Sequence, residues 1–199
     1  MKRYFHLIAA FILLNQFVIA QSFNVFVEPD SINGLPGLQS FAFAESQGKW
    51  ILIGGRTDGL HRRQPPFSFL SSGNNTNIYV VDPINKQLWL APLTTLSASL
   101  QEQLQSTNMN FDSKDGKLFL VGGYGYSATA LDHITFPYVT VLTVDSVIDA
   151  IISGQPFAQF IHQGYDTIAA VTGGHLASIG NRFYLVCGHR FDGRYNPMN

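Results

Sequence analysis

The chain has a single cysteine in 199 residues. No intramolecular disulfide can form, so the fold must be held by a buried core. Charge is also scarce. Asp, Glu, Lys and Arg together make up 13% and the formal net charge is -1. A nucleic-acid surface needs clustered Lys and Arg, which this chain does not offer. No Ser-His-Asp signature, phosphate loop or paired-carboxylate motif is present. Beyond residue 20, no apolar run is long enough to span a bilayer. The lone cysteine, Cys187, lies inside the apolar run Phe183-Tyr184-Leu185-Val186-Cys187. It reads as a small buried hydrophobe. The neighbours His189 and Arg190 keep a reactive thiol open as the alternative.

What the chain does have is apolar and aromatic mass. Hydrophobic residues make up 46%, with 16 Phe, 8 Tyr and 18 Gly. This is enough for one domain with a core, built from many strands and tight turns. Residues 1–20 read as a secretory signal peptide. Lys2 and Arg3 give a positive start, 7–14 an apolar centre, and Val18-Ile19-Ala20 precedes a cut at Gln21. Asn15 and Gln16 interrupt the apolar run, which argues against an anchor. The expected location is therefore exported: periplasmic, cell-surface or extracellular, with no membrane span after signal removal.

The organising stretch is Lys117-Leu118-Phe119-Leu120-Val121-Gly122-Gly123, a short apolar strand that stops on two glycines. Lys49-Trp50-Ile51-Leu52-Ile53-Gly54-Gly55 repeats it, and so does Arg182-Phe183-Tyr184-Leu185-Val186-Cys187-Gly188. Gly55, Gly123 and Gly188 stand 68 and 65 positions apart. The pattern predicts a strand over 22–28 and a hairpin of 38–44 with 49–55. A long loop over 56–76 leads to a strand over 77–81, an Asp82-Pro83-Ile84-Asn85 turn, and a strand over 87–91 carrying Trp89. A second unit follows a short helical link at 101–105. Its strands fall at 108–112, 117–123, 137–144 and 157–162, with an Asp115-Gly116 turn and a loop over 124–132. Residues 145–153 have helical spacing behind an Asp145 cap, and Phe160 stands near where Trp89 stood. A third unit supplies strands over 174–179 and 182–188.

These residues are similar to the kelch-repeat family of β-propellers. Gly54-Gly55 and Gly122-Gly123 carry the resemblance, and Gly188 keeps one glycine of the pair. In the first unit Tyr79, Asp82-Pro83 and Trp89 follow in the family's order. The second unit lacks the Asp-Pro turn and the tryptophan. The resemblance covers 38 to 199. It implies an all-β, kelch-type β-propeller, incomplete, with about two and a half four-stranded blades. The expected organisation is a signal peptide at 1–20, an N-terminal strand and lead-in loop at 21–37, blade 1 at 38–93, blade 2 with a helical insertion at 94–170, and a partial blade 3 at 171–199. Three unrelated hairpins of a β-sandwich are the alternative. The signal peptide gives it the look of an exported bacterial propeller. A propeller needs about four to eight blades, so the expectation is the N-terminal part of a longer protein, with the strand at 22–28 closing the ring.

Antiparallel strands would put the loops after the glycines on one face. They would bring together His61, Arg62 and Arg63; Tyr124, Tyr126 and His133; and His189, Arg190 and Arg194. Arginines and aromatic rings around a channel suit an anionic or sugar ligand. The alternative is that the arginines pair with Asp58, Asp132 and Asp192 and brace the loops. His61, His133 and His189 lack the usual local spacing of metal ligands, and Cys187 is not in a copper-oxidase motif. No metal, cofactor or catalytic residue is therefore assigned. Asn74-Asn75-Thr76 is a glycosylation sequon by pattern, and in a bacterial protein a polar turn. The expected function is a binding scaffold for a protein or glycan partner, without nucleic acid. The alternatives are a kelch-type carbohydrate-active enzyme, of the oxidase or sialic-acid epimerase class, and a purely structural envelope protein.

Overall fold

In a computed structural model of the chain, residues 23–59 and 66–196 are described. They fall in two parts. Residues 23–30 hold no helix or strand, and the fold proper begins at Ser31. The strand expected over 22–28 is therefore not formed in its described residues.

The first sheet is an antiparallel meander of β1 (Ala42–Ser46), β2 (Lys49–Ile53), β3 (Asn77–Asp82) and β4 (Gln87–Pro92), in that order. Gln47 and Gly48 turn β1 into β2 with φ of 51° and 72°, the left-handed pair that a two-residue hairpin turn requires. Asp82 shapes the β3–β4 turn. Its Oδ1 accepts from the Ile84 and Asn85 backbone N–H groups at 3.1 and 2.8 Å, and its Oδ2 accepts from Asn85 Nδ2 at 2.9 Å. Those bonds, the Asn85 backbone bond first, hold its carboxyl below the usual carboxylate range.

The chain then runs through α1 (Ala98–Leu104) into β5 (Asn110–Lys114) and β6 (Lys117–Val121). Asp115 and Gly116 repeat the φ pair of the first hairpin, 51° and 72°. A small hairpin follows, β7 (Tyr124–Ser127) with β8 (Asp132–Thr135), where the sequence predicted only a loop. Next come β9 (Tyr138–Thr143), α2 (Val144–Ile152) and β10 (Ile161–Tyr165). The second sheet has the order β10-β9-β6-β5, again antiparallel. Its last strand starts later than expected, because Ala158–Phe160 coils as a 3-10 turn. The chain continues into the two-stranded sheet of β11 (His175–Ile179) and β12 (Arg182–Val186).

Strand alternation divides the apolar residues between two clusters. Ile51, Ile53, Ile78 and Val80 face one way and meet Leu118, Leu120 and Leu142 of the second sheet. The helix α2 adds Val147, Ile148 and Ile151, at the spacing of one helical face. Each fully buried side chain of this kind contributes roughly 1.5–3 kcal/mol. Trp89 and Phe160 both pack at the margin of this cluster. Leu52, Tyr79 and Val81 face the other way, under Ile32, Leu35 and Leu38 of the lead-in loop. Asp145 sits in the first turn of α2 and does not cap it; Thr143 holds the cap position. The described residues thus form an all-β protein of antiparallel sheets with two α-helices and no closed barrel.

Cys187 is exposed, contrary to the buried hydrophobe expected. The strand has already ended at Val186, and Cys187 adopts φ of 61°. Gly54 and Gly122, which hold the same place after β2 and β6, have φ of 69° and 70°. The cysteine thus turns the chain as a glycine would, outside the sheet.

Candidate functional site

After β2, β6 and β12 the chain passes through two consecutive left-handed residues: Gly54-Gly55, Gly122-Gly123 and Cys187-Gly188. The next residue pairs back to the link that enters the same unit. These bridges are Arg56 with Gln39, Tyr124 with Thr107, and His189 with Thr172. The link residue after each bridge, Ser40, Asn108 or Gly173, also has positive φ. These three are joined in series: Asn108 N donates to Ser40 O at 3.1 Å, and Gly173 N to Asn108 O at 3.0 Å. Gly55 N donates to Ser106 O at 2.8 Å, and Gly123 N to Val171 O at 3.3 Å. The backbone itself gathers the three loops. Glycine is required because the chains touch: a Cβ on Gly122 would lie 1.8 Å from Val171 O.

The gathered loops bring together Phe69, Tyr124, His133, Phe191 and Tyr195. Phe69 meets Tyr124 edge-on at 5.1 Å and Tyr195 at 5.8 Å; Phe191 meets Tyr124 at 5.7 Å and Tyr195 at 5.4 Å. Tyr124 is buried. Its hydroxyl donates to Gly193 O and accepts from Tyr195 N, both at 2.8 Å. Burial pushes its phenol up to about 12. His133 is 2% exposed. Its Nε2 lies 3.0 Å from the Phe69 carbonyl, which can only accept, so that nitrogen carries the ring proton. Burial holds the ring below its ordinary pKa and favours the neutral form. Tyr126 places its ring 5.4 Å from His133.

The loop after β12 is laced along β8. Thr135 Oγ1 donates to Phe191 O at 2.9 Å and accepts from Phe191 N at 2.8 Å, while Gly193 N donates to His133 O at 2.8 Å. Ser68 Oγ donates to Tyr195 O at 2.8 Å, and Arg194 donates to Pro66 O, which ties the first loop to the third. Arg190 pairs with Asp192 at 3.2 Å, both exposed, an arrangement worth little in stability. Asp132 Oδ1 accepts from the His133 backbone N–H at 2.7 Å. His61, Arg62 and Arg63 lie outside the described residues.

Three contributors were not singled out from the sequence. Arg56 is buried and holds Asp58 through two bonds, at 2.9 and 2.6 Å, and it also donates to Asn74 Oδ1 and Leu70 O. Phe69 packs between Tyr124 and Tyr195 in the aromatic group. Glu102 accepts from Ser127 Oγ at 2.6 Å and from the Thr129 backbone and hydroxyl at 2.9 Å, which fixes the β7–β8 hairpin to α1. The only sequence signal was for Arg56, which directly follows a glycine pair, where Tyr124 stands in the second unit.

Beside the aromatic group lies an open hollow of about 520 Å³, bordered by Asn108, Thr172, His189, Phe191 and Tyr195. Its walls are rings and polar groups, with no carboxylate, Lys or Arg among the described residues that form them. Among the described residues, no three His, Cys, Asp or Glu side chains come together in a set fit for a metal ion. Compared with protein-family models and with curated proteins, the sequence gives no match.

Proposed function

We propose that the chain forms part of an exported, kelch-type β-propeller that binds a glycan through its loop face. The observation that carries this reading is the hollow, where loops from three repeated units meet around aromatic rings and hydrogen-bonding groups. Aromatic walls with a few polar groups suit the mixed apolar and hydroxyl surface of a sugar. No arginine or lysine is among the described residues that border the hollow, which favours a neutral sugar over an anionic one. The recurring glycine turns and the series through Ser40, Asn108 and Gly173 support the propeller reading, because each unit meets the next in the same way.

The test is calorimetric titration of the purified protein with neutral and acidic oligosaccharides. A neutral sugar is expected to bind, with affinity reduced about tenfold by His189→Ala, the worth of roughly one hydrogen-bonding contact. Ile84→Ala, on an exposed turn of the first sheet, is expected to leave binding unchanged. No binding by any neutral sugar at millimolar concentration would overturn the reading, and so would binding indifferent to His189→Ala.

A further inference from the structure

The main chain of Asn108 is fully committed to joining the units. Its N–H donates to Ser40 O at 3.1 Å, and its carbonyl accepts from Gly173 N and from Thr172 Oγ1, both at 3.0 Å. Its side-chain amide bonds to nothing among the described residues. Other asparagines of the fold are engaged with the protein. Asn75 uses both ends of its amide, on Gly54 O and Asn77 N. Asn110 does the same, on Val121 O, Val171 O and Gly174 N. Asn74 and Asn85 bond to Arg56 and Asp82. Nor does the backbone demand an asparagine at 108. Its φ is 55°, a region asparagine tolerates better than most residues. Ser40 and Gly173, in the same place in the other units, have φ of 55° and 68°. Glycine adopts such angles most readily, and Gly173 joins the series of bonds without a side chain.

Asn108 borders the open hollow of about 520 Å³ and is half-buried. With its N–H and carbonyl occupied, the polar group it brings to the hollow is the amide. Neighbouring polar groups are already in use. The Tyr124 hydroxyl both donates and accepts within the protein, and Thr172 Oγ1 gives its proton to Asn108 O. His189 is exposed, with its ring 5.7 Å from that of Phe191. A carboxamide carries a carbonyl acceptor and N–H donors on one carbon, and a hydroxyl can both donate and accept. Two hydroxyls on neighbouring carbons of a sugar ring can therefore bond one amide together. One gives a proton to its oxygen, and the other takes one from its nitrogen.

We infer that Asn108 sets specificity in the hollow, reading a pair of adjacent hydroxyls on a neutral sugar whose ring lies against the aromatic wall. This rests on the proposed reading of the hollow as a sugar site. Calorimetric titration with the methyl glycosides of glucose, galactose, mannose and xylose tests it. Asn108→Gly is expected to leave the urea midpoint unchanged or higher. It is expected to weaken the bound glycoside about a hundredfold, two contacts of about tenfold each. Ser40→Gly, the same change at a place that does not border the hollow, is expected to leave binding unchanged. Monodeoxy forms of the glycoside, lacking one or the other of two adjacent hydroxyls, are expected to bind the unaltered protein about tenfold more weakly. To Asn108→Gly they are expected to bind as well as the parent glycoside does. If Asn108→Gly does not fold, Asn108→Ser, which copies the first unit, takes its place. Undiminished binding by the folded variant would overturn the inference, and the sugar site itself would stand if His189→Ala still weakened binding. Deoxy losses that persist in the variant, or an equal loss in Ser40→Gly, would also overturn it. Binding of no neutral sugar would overturn it together with the reading beneath it.

Discussion

Replacing Gly122 by alanine tests whether the glycine pairs are there for chain contact or only for turning. Two glycines of the same backbone conformation provide the comparison. Gly48 has φ of 72° and a Cβ there would meet nothing within 4 Å. Gly48→Ala should therefore incur only the left-handed penalty of an L-residue, roughly 1–2 kcal/mol. Gly122 has φ of 70°, but its Cβ would lie 1.8 Å from Val171 O and 2.9 Å from Ala169 O. Those are backbone atoms and cannot rotate away. The link must move, which adds an overpacking cost of about 1–3 kcal/mol. Its movement also strains the bond from Gly123 N to Val171 O, worth about 1 kcal/mol. Gly122→Ala is thus expected to cost about 4 kcal/mol. Urea unfolding followed by circular dichroism, read at constant slope, measures both variants. Equal losses would refute the reasoning, since the pair would then be a turn device with no role in joining the units.

Two further outcomes follow from buried polar groups. His133 has a folded pKa below its ordinary value of 6.5, because burial disfavours the charged ring. The unfolded state then binds the proton more readily. Stability is expected to be full above pH 6.5 and to fall as pH drops below it. His133→Gln should flatten that part of the pH profile of urea midpoints; an unchanged slope would point to another group. Arg56→Met removes a buried guanidinium from Asp58, whose side chain is 36% exposed. Breaking a buried pair costs 3–5 kcal/mol. Solvent access to Asp58 puts this case at the low end, about 3 kcal/mol by chemical denaturation, and a loss below about 1 kcal/mol would contradict the burial argument.

Much of the sheet structure was legible because it rests on period-two apolar alternation and on turn chemistry. Asp82 with Pro83 and Asp115 with Gly116 declare their turns whatever surrounds them. The β7–β8 hairpin was not legible. Tyr124-Gly125-Tyr126-Ser127 has little aliphatic content, and its strands are held by tertiary bonds from Glu102 and by the chain after β12. The 22–28 stretch failed in the opposite sense: it alternates as a strand should, yet residues 23–30 hold no regular structure, and alternation alone supplies no partner. The loop face was legible in location, since antiparallel strands fix which ends lie together. Its content was not. Tyr124 and His133, named for a ligand face, are both buried and bonded to backbone, and of the two Tyr124 also borders the hollow.

What the units share is therefore mostly backbone. Ser40, Asn108 and Gly173 are three different residue types, yet all have positive φ and form one series of bonds. Because that stitching lies in main-chain groups, the loops beyond it need not resemble one another, and they do not. The first unit carries the buried Arg56 and Phe69, the second a hairpin, and the third the chain laced along β8. Anchored identically at their bases, three unlike loops can build one wall, to which Phe69, Tyr124 and Phe191 contribute packed rings. A wall held in this way loses little freedom when something settles against it, which favours binding. In the proposed reading a sugar settles against His189, Thr172 and Asn108 on the open side, and the bonds behind them keep that surface in shape.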